Sequence, residues 1–239
     1  MKLQLPTIII VCLSIVLILS IHFLGGNTQS IKEANEESSD FQAVRIDAEN
    51  AYNAQDFTQA IDLYGQALDL RPENAEVYND LGSVHYDLGL KYAGPDWPSL
   101  PVKYLDESVE DALAVLDRAI QITESGYLVL KTSSTEIAKA IEKKAKEKGA
   151  AVFPYFGNTQ TTLNILVGST KDHLLEARWS YRKALELKST YAPAYRNLGS
   201  FYMKIGIMDK AINYLREAYR REPSDEILGE YLQQFRGQY

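Results

Sequence analysis

The sequence predicts an all-α fold, a solenoid of helix-turn-helix repeats with two inserts that follows one N-terminal transmembrane helix. Three observations support this prediction. The hexamer Tyr78–Ser83 recurs as Tyr195–Ser200, with the aromatic residue and the Leu-Gly-Ser end unchanged. Ala177 and Ala211 are separated by one period of about 34 residues, a spacing typical of repeat architectures. A large residue follows each of these alanines after four positions, and a second alanine follows after seven. The run Ile8–Leu24 is apolar and carries no formal charge.

Each repeat is predicted to pair two antiparallel helices that cross closely. Gly82 and Gly199 are the small residues of the first helix, and Pro72 and Pro223 follow helix ends, where no further backbone hydrogen bond is formed. The second helix carries a small, a large and a small residue at fixed spacing: Ala60, Tyr64 and Ala67; Ala112, Leu116 and Ala119; Ala177, Tyr181 and Ala184; Ala211, Leu215 and Ala218. One pair cannot bury its apolar face alone, so stacked neighbours are required.

These residues resemble the tetratricopeptide repeat family, whose signature is an aromatic residue, Leu-Gly, a second aromatic, and later Ala, a large apolar residue, Ala and Pro. Ala192–Asp225 matches this signature at nearly every position, and Phe41–Asn74 matches it mainly in its second half. The resemblance implies a right-handed superhelix. Its predicted parts are repeats at 41–74, 75–125, 158–191 and 192–225, followed by a capping helix over 225–236.

The first predicted insert, at 90–106, separates the helices of the second repeat. Gly82 and Ala112 lie much farther apart in the sequence than the equivalent Gly199 and Ala211, so a segment is added between the two helices. The insert contains three prolines, which exclude a helix there. Its Trp97 either anchors a partner protein or folds back and pins the loop onto the repeat.

The second insert is the segment 126–157. A helix is expected here from a Ser133 N-cap to Lys148, with Gly149 as its stop signal. Apolar runs on either side of this helix fit strands or packed loops, and periodicity does not decide between them. If both runs pair, the segment is a small β-α-β element. Irregular helical and loop structure is the interpretation we favour.

Residues 1–24 are predicted to form an uncleaved signal anchor, with a removed signal peptide as the alternative. Lys2 precedes the apolar run, and Glu33, Glu36 and Glu37 follow it, so the repeats are expected on the extracytoplasmic side of a bacterial membrane. Residues 25–40 are poor in apolar side chains and are predicted to be a flexible tether. The repeat domain then covers 41–239.

Catalytic, metal-binding and cofactor-binding residues are not predicted. The three histidines, His22, His85 and His173, lack metal-ligand spacing, and no phosphate-binding loop or paired nucleophile and base is found. A net charge of −7 and a pI of about 5.1 argue against a sequence-independent nucleic-acid surface. We therefore expect no enzyme, with a site built on the inserts as the alternative.

A protein or peptide partner is the predicted ligand. The resemblance implies that the first helices line a concave groove, and the matching positions are Arg45, Glu49, Tyr52, Glu76, Asn79, Ser83, Tyr86, Arg196, Ser200, Met203 and Lys204, to which Trp97 is added. Tyr52, Tyr86 and Met203 either form an apolar stripe or pack under the next repeat. Some family members clamp a C-terminal carboxylate with a lysine and two asparagines, but here Arg45, Glu49 and Asp80 hold those positions.

The expected function is that of a membrane-anchored adaptor that binds a protein segment in this groove. Charge is unevenly distributed along the groove, because the second repeat is acidic and the last carries Arg196 and Lys204. A segment with matching asymmetry would bind in one direction only. The alternative is a non-catalytic subunit of an envelope or secretion complex that binds through its inserts. Such arrays can also self-associate as homo-oligomers.

Overall fold

The computed structural model describes residues 39–98, 100 and 102–235. The predicted membrane helix at 8–24 lies outside the described residues, as do most of the predicted tether and the last residue of the predicted capping helix. Within the described part, no helix combines the length and apolar character needed to span a bilayer.

The repeat prediction contained helices only, whereas the described part of the chain has four strands among its helices between residues 94 and 167. The first helix, α1, is described over 39–53. The remaining elements are α2 (Phe57–Leu70), α3 (Ala75–Ala93), β1 (Lys103–Tyr104), α4 (Val109–Ile122), β2 (Gly126–Thr132), α5 (Thr135–Glu147), β3 (Ala151–Phe156), β4 (Thr161–Val167), α6 (Gly168–Leu187), α7 (Ala192–Lys204), α8 (Met208–Arg221) and α9 (Glu226–Gln233).

The helix that pairs with α3 is α6, although α4, α5 and strands β1 to β4 lie between them in the sequence. A Cβ added at Gly82 of α3 would lie 2.7 Å from the Tyr181 ring and 3.2 Å from the Ala177 carbonyl oxygen. Gly199 of α7 has the same relation to α8, since a Cβ there would lie 2.6 Å from Leu215. The small residues therefore permit close helix crossing in both pairs. The described array consists of the pairs α1–α2, α3–α6 and α7–α8.

This pairing corrects the predicted repeats at 75–125 and 158–191. Helix α4 is not the second helix of the second repeat: its Ala112, Leu116 and Ala119 pack against Ile137 and Ile141 in a separate core. The second repeat instead joins α3 to α6, so one long insertion between these helices replaces the two predicted inserts. The prediction failed because α4 carries the same small-large-small spacing as α6, although α4 packs in the core of the module and α6 packs against α3.

The inserted residues 94–167 form an α/β module around a four-stranded sheet with the order β1-β2-β4-β3. Strands β1 and β2 are parallel, whereas β2–β4 and β3–β4 are antiparallel. The expectation of irregular structure at 126–157 was therefore wrong, and the chain departs here from an all-α fold. The apolar run of β4, which was assigned to a repeat helix, pairs with both neighbouring strands and satisfies their backbone groups.

One correction concerns the start of α5. The side chain that accepts a hydrogen bond from the first turn is Ser134, through the Ile137 N–H, and not Ser133. Ser133 instead donates its backbone N–H to Asp106 at 2.7 Å. This bond joins the start of α5 to the segment after β1.

The two faces of the sheet are both buried. Leu128 and Leu130 face α4 and α5, whereas Tyr127 and Val129 belong to the core formed with α6 and α7. This alternation follows the two-residue period of a strand. The Tyr127 hydroxyl lies 2.9 Å from the Ile205 carbonyl oxygen, just after the end of α7, and also contacts the buried Asn164 side chain. The module is therefore packed onto the edge of the array where α7 ends.

Helix α9 follows the last pair and lies within the predicted range of the capping helix. Its N-cap is Asp225, which accepts a hydrogen bond from the Leu228 N–H at 3.0 Å. Leu228 is buried against Leu215 and Ala218, with Tyr231 and Leu232 packed nearby. The side chain of Ile227, next to Leu228 in the sequence, is 83% exposed. The short helix turns only one narrow face toward α8.

Candidate binding groove

A cavity of about 300 Å³ lies where the first two repeats meet. Its wall is formed by Arg45, Glu49, Tyr52, Asn53, Tyr64, Asp80 and Ser83. Four of these, Arg45, Glu49, Tyr52 and Ser83, are predicted groove residues that the fold brings to one place. Asp80 and Tyr64 complete the wall from α3 and α2.

Arg45 is shared between two carboxylates of the second repeat. Its guanidinium donates to Glu76 at 3.1 Å and to Asp80 at 3.4 Å. Burial raises the pKa of the Asp80 carboxyl, although Arg45 and a contact from Asn79 act in the opposite direction. Glu76 also lies 4.0 Å from the Lys188 ammonium group. The positive charge of Arg45 therefore only partly compensates the negative charge of the carboxylates around it.

The two tyrosines of the cavity differ in their contacts. Tyr52 donates its hydroxyl to Asp87 at 2.5 Å, and its ring centroid lies 6.1 Å from that of Phe57. Tyr64 is 2% exposed. Burial raises the pKa of both hydroxyls; the hydrogen bond to Asp87 adds to the effect at Tyr52, and the charge of Asp80 adds to it at Tyr64. Both side chains therefore stay neutral and polar at the wall of an acidic cavity.

Asn79 and Tyr86 hold the repeats together. Asn79 is 6% exposed, and its side-chain oxygen accepts a hydrogen bond from Asn197 of α7 at 2.9 Å. The same Asn197 amide lies 3.4 Å from the Ser83 hydroxyl. Tyr86 is partly buried against the core shared by α6 and α7, and burial raises its pKa to about 12. Asn79 and Tyr86 therefore pack within the array.

Three predicted groove residues of the last repeat, Arg196, Ser200 and Met203, line a second cavity of about 480 Å³ against α9. Arg196 is bound to Glu222 at 2.9 Å and to Asp225 at 2.7 Å. Ser200 and Met203 share this cavity, and the Tyr231 hydroxyl lies 3.6 Å from the Met203 sulfur. Met203 is thus packed under the cap rather than continuing a stripe from Tyr52, and the positive charge of Arg196 is neutralised in place.

Trp97 folds back onto the array, the second of its two predicted roles. Its ring stacks on Tyr127 with the centroids 4.5 Å apart and the planes 15° apart. Its indole N–H donates to the Lys204 carbonyl oxygen at 3.2 Å, and the Lys204 ammonium group lies 5.2 Å from the ring centroid. Trp97 and Lys204, which were both predicted to bind a partner, therefore hold the first loop of the module against the end of α7.

Two histidines that are far apart in the sequence meet across α3 and α6. The Nδ1 atoms of His85 and His173 are 3.0 Å apart, and the Tyr92 ring stacks on His173. Burial, with a smaller effect of His173, lowers the pKa of His85 to about 4, and burial also lowers the pKa of His173. Because the two histidines are far apart in the sequence, no local sequence pattern predicted their contact. In the described part of the chain, no set of three or more His, Cys, Asp or Glu residues is arranged to hold a metal ion.

Comparisons with known proteins identify the repeat. A family model described as TPR repeat matches residues 50–89, which cover the end of α1, α2 and most of α3. A second model, described as tetratricopeptide repeat, matches residues 192–225, which include α7 and α8. Both matched ranges lie on helices of the repeat array, and neither range overlaps the inserted module.

Among curated proteins, the chain is 24% identical over 176 residues to the Protein CTR9 homolog of Arabidopsis thaliana. The match covers 70% of this chain but only 15% of that protein. Similar solved structures include the Arabidopsis OM64 TPR domain, with a TM-score of 0.44, 11% identity, and coverage of 83% of this chain and 98% of that one.

Another similar structure is the first TPR of Spaghetti (RPAP3) bound to the HSP90 peptide SRMEEVD, with a TM-score of 0.44, 11% identity, and coverage of 82% of this chain and 90% of that one. The two family matches show that residues 50–89 and 192–225 carry tetratricopeptide repeats, and both lie on helices of the array described above.

Proposed function

We propose that this protein is an adaptor that binds a segment of a partner protein in the groove of its repeats. The observation that carries the proposal is the cavity between the first two repeats, where four predicted groove residues converge. Its volume of about 300 Å³ is at the lower end of the roughly 300–1,000 Å³ range of ligand cavities. It accommodates one side chain of an extended segment.

Exposure supports the same site. Glu49 and Asn53 lie at the rim and are solvent-exposed, whereas Arg45, Tyr52 and Ser83 are half-buried. A ligand side chain that enters would meet these five residues at one place. The groove positions Asn79 and Arg196 are less suitable, because neither lines this cavity: Asn79 is buried against Asn197, and Arg196 is paired with Asp225.

The experiment is a blocking substitution that leaves the packing unchanged. Asn53→Trp places a large ring at the rim from an exposed position. Gln66→Trp, on the exposed side of α2, is the matched control. The full-length chain and both variants are crosslinked in membranes, and captured proteins are identified by mass spectrometry.

The proposal requires a specific protein that is captured by the wild type and Gln66→Trp and lost with Asn53→Trp. Equal capture by all three chains would remove the groove as the binding site.

We also propose that residues 8–24 anchor the chain and that the repeats lie on the extracytoplasmic side of the membrane. The proposal is supported by the uncharged run and by the charges that flank it. Cys12 is the single cysteine of the chain, so the double variant Cys12→Ser, Ser224→Cys carries one thiol, at an exposed position. A membrane-impermeant maleimide should label this thiol in intact cells. Labelling only after lysis would reverse the orientation.

A second candidate function is binding through the inserted module. It is favoured by two aromatic side chains that the module exposes, Tyr104 at 65% and Phe156 at 72%. Exposed aromatic residues are frequent anchors of protein interfaces. Loss of the captured protein with Tyr104→Ser and Phe156→Ser, but not with Asn53→Trp, would favour this function over groove binding.

A further inference from the structure

We infer that the side chain that occupies the cavity between the first two repeats is cationic, a lysine or arginine of the partner segment. This inference rests on the proposed function, since it names the chemistry of the ligand at the same site. Its basis is the charge, the hydrogen bonding and the burial of the groups around the cavity.

Carboxylates outnumber cations at this site. Glu49 and Asp80 line the cavity, and Glu76 and Asp87 are bound to the lining residues Arg45 and Tyr52. Against these four carboxylates stand Arg45 and the more distant Lys188. The formal charge of the group is therefore negative. A negative or neutral ligand side chain would not compensate this excess.

The arrangement of Arg45 prevents it from acting as an anion receptor. Its guanidinium is already directed toward Glu76 and Asp80 of the next repeat. A ligand carboxylate would have to compete with both, and it would approach Glu49 at the same time. The position that favours a carboxylate in some related repeats is therefore used here for an internal ion pair.

Asp80 is the group that gains most from a second cation. Burial raises the pKa of its carboxyl even though Arg45 is adjacent, which means that the charged form is incompletely stabilised. An ammonium or guanidinium group in the cavity would lie close to Asp80 and to Glu49. The hydroxyl of Tyr52, whose proton is donated to Asp87, presents its oxygen as an acceptor.

The rest of the wall suits the aliphatic stem of such a side chain. Tyr52 and Tyr64 contribute ring surface to the cavity, and long cationic side chains bury their methylene groups while the charged end stays polar. The second cavity does not share these properties, because the one carboxylate in its lining, Asp225, is paired with Arg196 and the remaining wall is largely apolar.

The test uses the full-length protein in detergent and three fluorescent peptides of equal length. The peptides are identical except that lysine, glutamate or glutamine occupies alternate positions, and binding is followed by fluorescence anisotropy. We expect the lysine peptide to bind tightest, with an affinity that decreases as salt is added.

Two double variants locate the effect. Glu49→Gln with Asp80→Asn should weaken binding of the lysine peptide by about tenfold, the order expected for lost charge-assisted contacts. Asp62→Asn with Asp69→Asn changes the net charge equally on the exposed side of α2 and should leave the affinity unchanged. Arg45→Gln should strengthen binding, because it frees Asp80 for the ligand. Circular dichroism verifies that each variant is folded.

The outcomes separate this inference from the proposed function. If the glutamate or glutamine peptide binds as tightly as the lysine peptide, and Asn53→Trp abolishes that binding, the groove binds segments but the cationic inference is overturned. If the lysine peptide binds both double variants equally, its charge is recognised elsewhere and the inference is also overturned. If no peptide binds, both the inference and the groove proposal are contradicted.

Discussion

Substitution of Gly168 tests whether the inserted module is joined tightly to the repeat array. Gly168 begins α6 directly after β4, with a φ of +58°. A Cβ at this position would lie 2.0 Å from the Glu124 carbonyl oxygen and 2.9 Å from Ser125 Cα. Gly168→Ala therefore combines a left-handed backbone with a collision against main-chain atoms that cannot rotate away.

The magnitude follows from two contributions. The left-handed conformation of a non-glycine residue costs roughly 1–2 kcal/mol. Relief of the collision requires separation of α6 from the 124–125 segment, which breaks the two contacts of the Ser125 hydroxyl, with the Thr170 hydroxyl and N–H, both at 2.9 Å. Lost hydrogen bonds of this kind cost about 0.5–1.5 kcal/mol each. We expect the free energy of unfolding to fall by about 2–5 kcal/mol in total.

The assay is urea unfolding of the full-length chain in detergent, followed by circular dichroism. Gly149→Ala is the matched control, because Gly149 has a φ of +78° but an added Cβ meets nothing within 4 Å. The control should cost only the backbone contribution, about 1–2 kcal/mol. If the two variants are equally destabilised, the junction between β4 and α6 is not closely packed against residues 124–125, and the reasoning fails.

Three further predictions concern other contacts. Tyr127→Phe removes the hydroxyl that contacts Ile205 and Asn164, and should lower the free energy of unfolding by about 2–3 kcal/mol in urea titrations because buried acceptors lose their donor; an unchanged midpoint would contradict the proposed attachment of the sheet. The depressed pKa of His85, about 4 against about 6.5 when unfolded, means that the unfolded chain binds more protons between these values, so stability should fall as the pH drops from about 6.5 to 4. His85→Phe should flatten that slope in pH-dependent thermal melts, and a slope that persists undiminished would assign it to other groups. Deletion of 225–239 exposes the surface of α8 that Leu228 covers, and light scattering should detect aggregation on heating; a truncated chain that melts cooperatively and stays monodisperse would show that α9 is dispensable.

The sequence alone was sufficient to identify the repeat, because the close crossing of two helices is a local requirement. Gly82 and Gly199 leave room for the side chains of Tyr181 and Leu215 on the partner helices, and the fixed spacing from Ala177 and Ala211 to these two residues records this requirement. The register of the repeat also predicted Arg45, Glu49, Tyr52 and Ser83 as groove residues. These four residues line one cavity, and their binding of a partner stays a prediction.

The partner of α3 could be decided only in the tertiary structure. Ala112 of α4 and Ala177 of α6 each begin the same small-large-small spacing. Helix α4 uses these residues to pack in the core of the module, whereas α6 uses them to pack against α3. The short apolar runs of the module were equally ambiguous, because a strand is defined by the backbone groups with which it pairs. Likewise, the contacts of His85 with His173 and of Trp97 with Tyr127 join residues far apart in sequence. Such contacts arise from packing between elements, and the sequence carries no local periodicity that reports them.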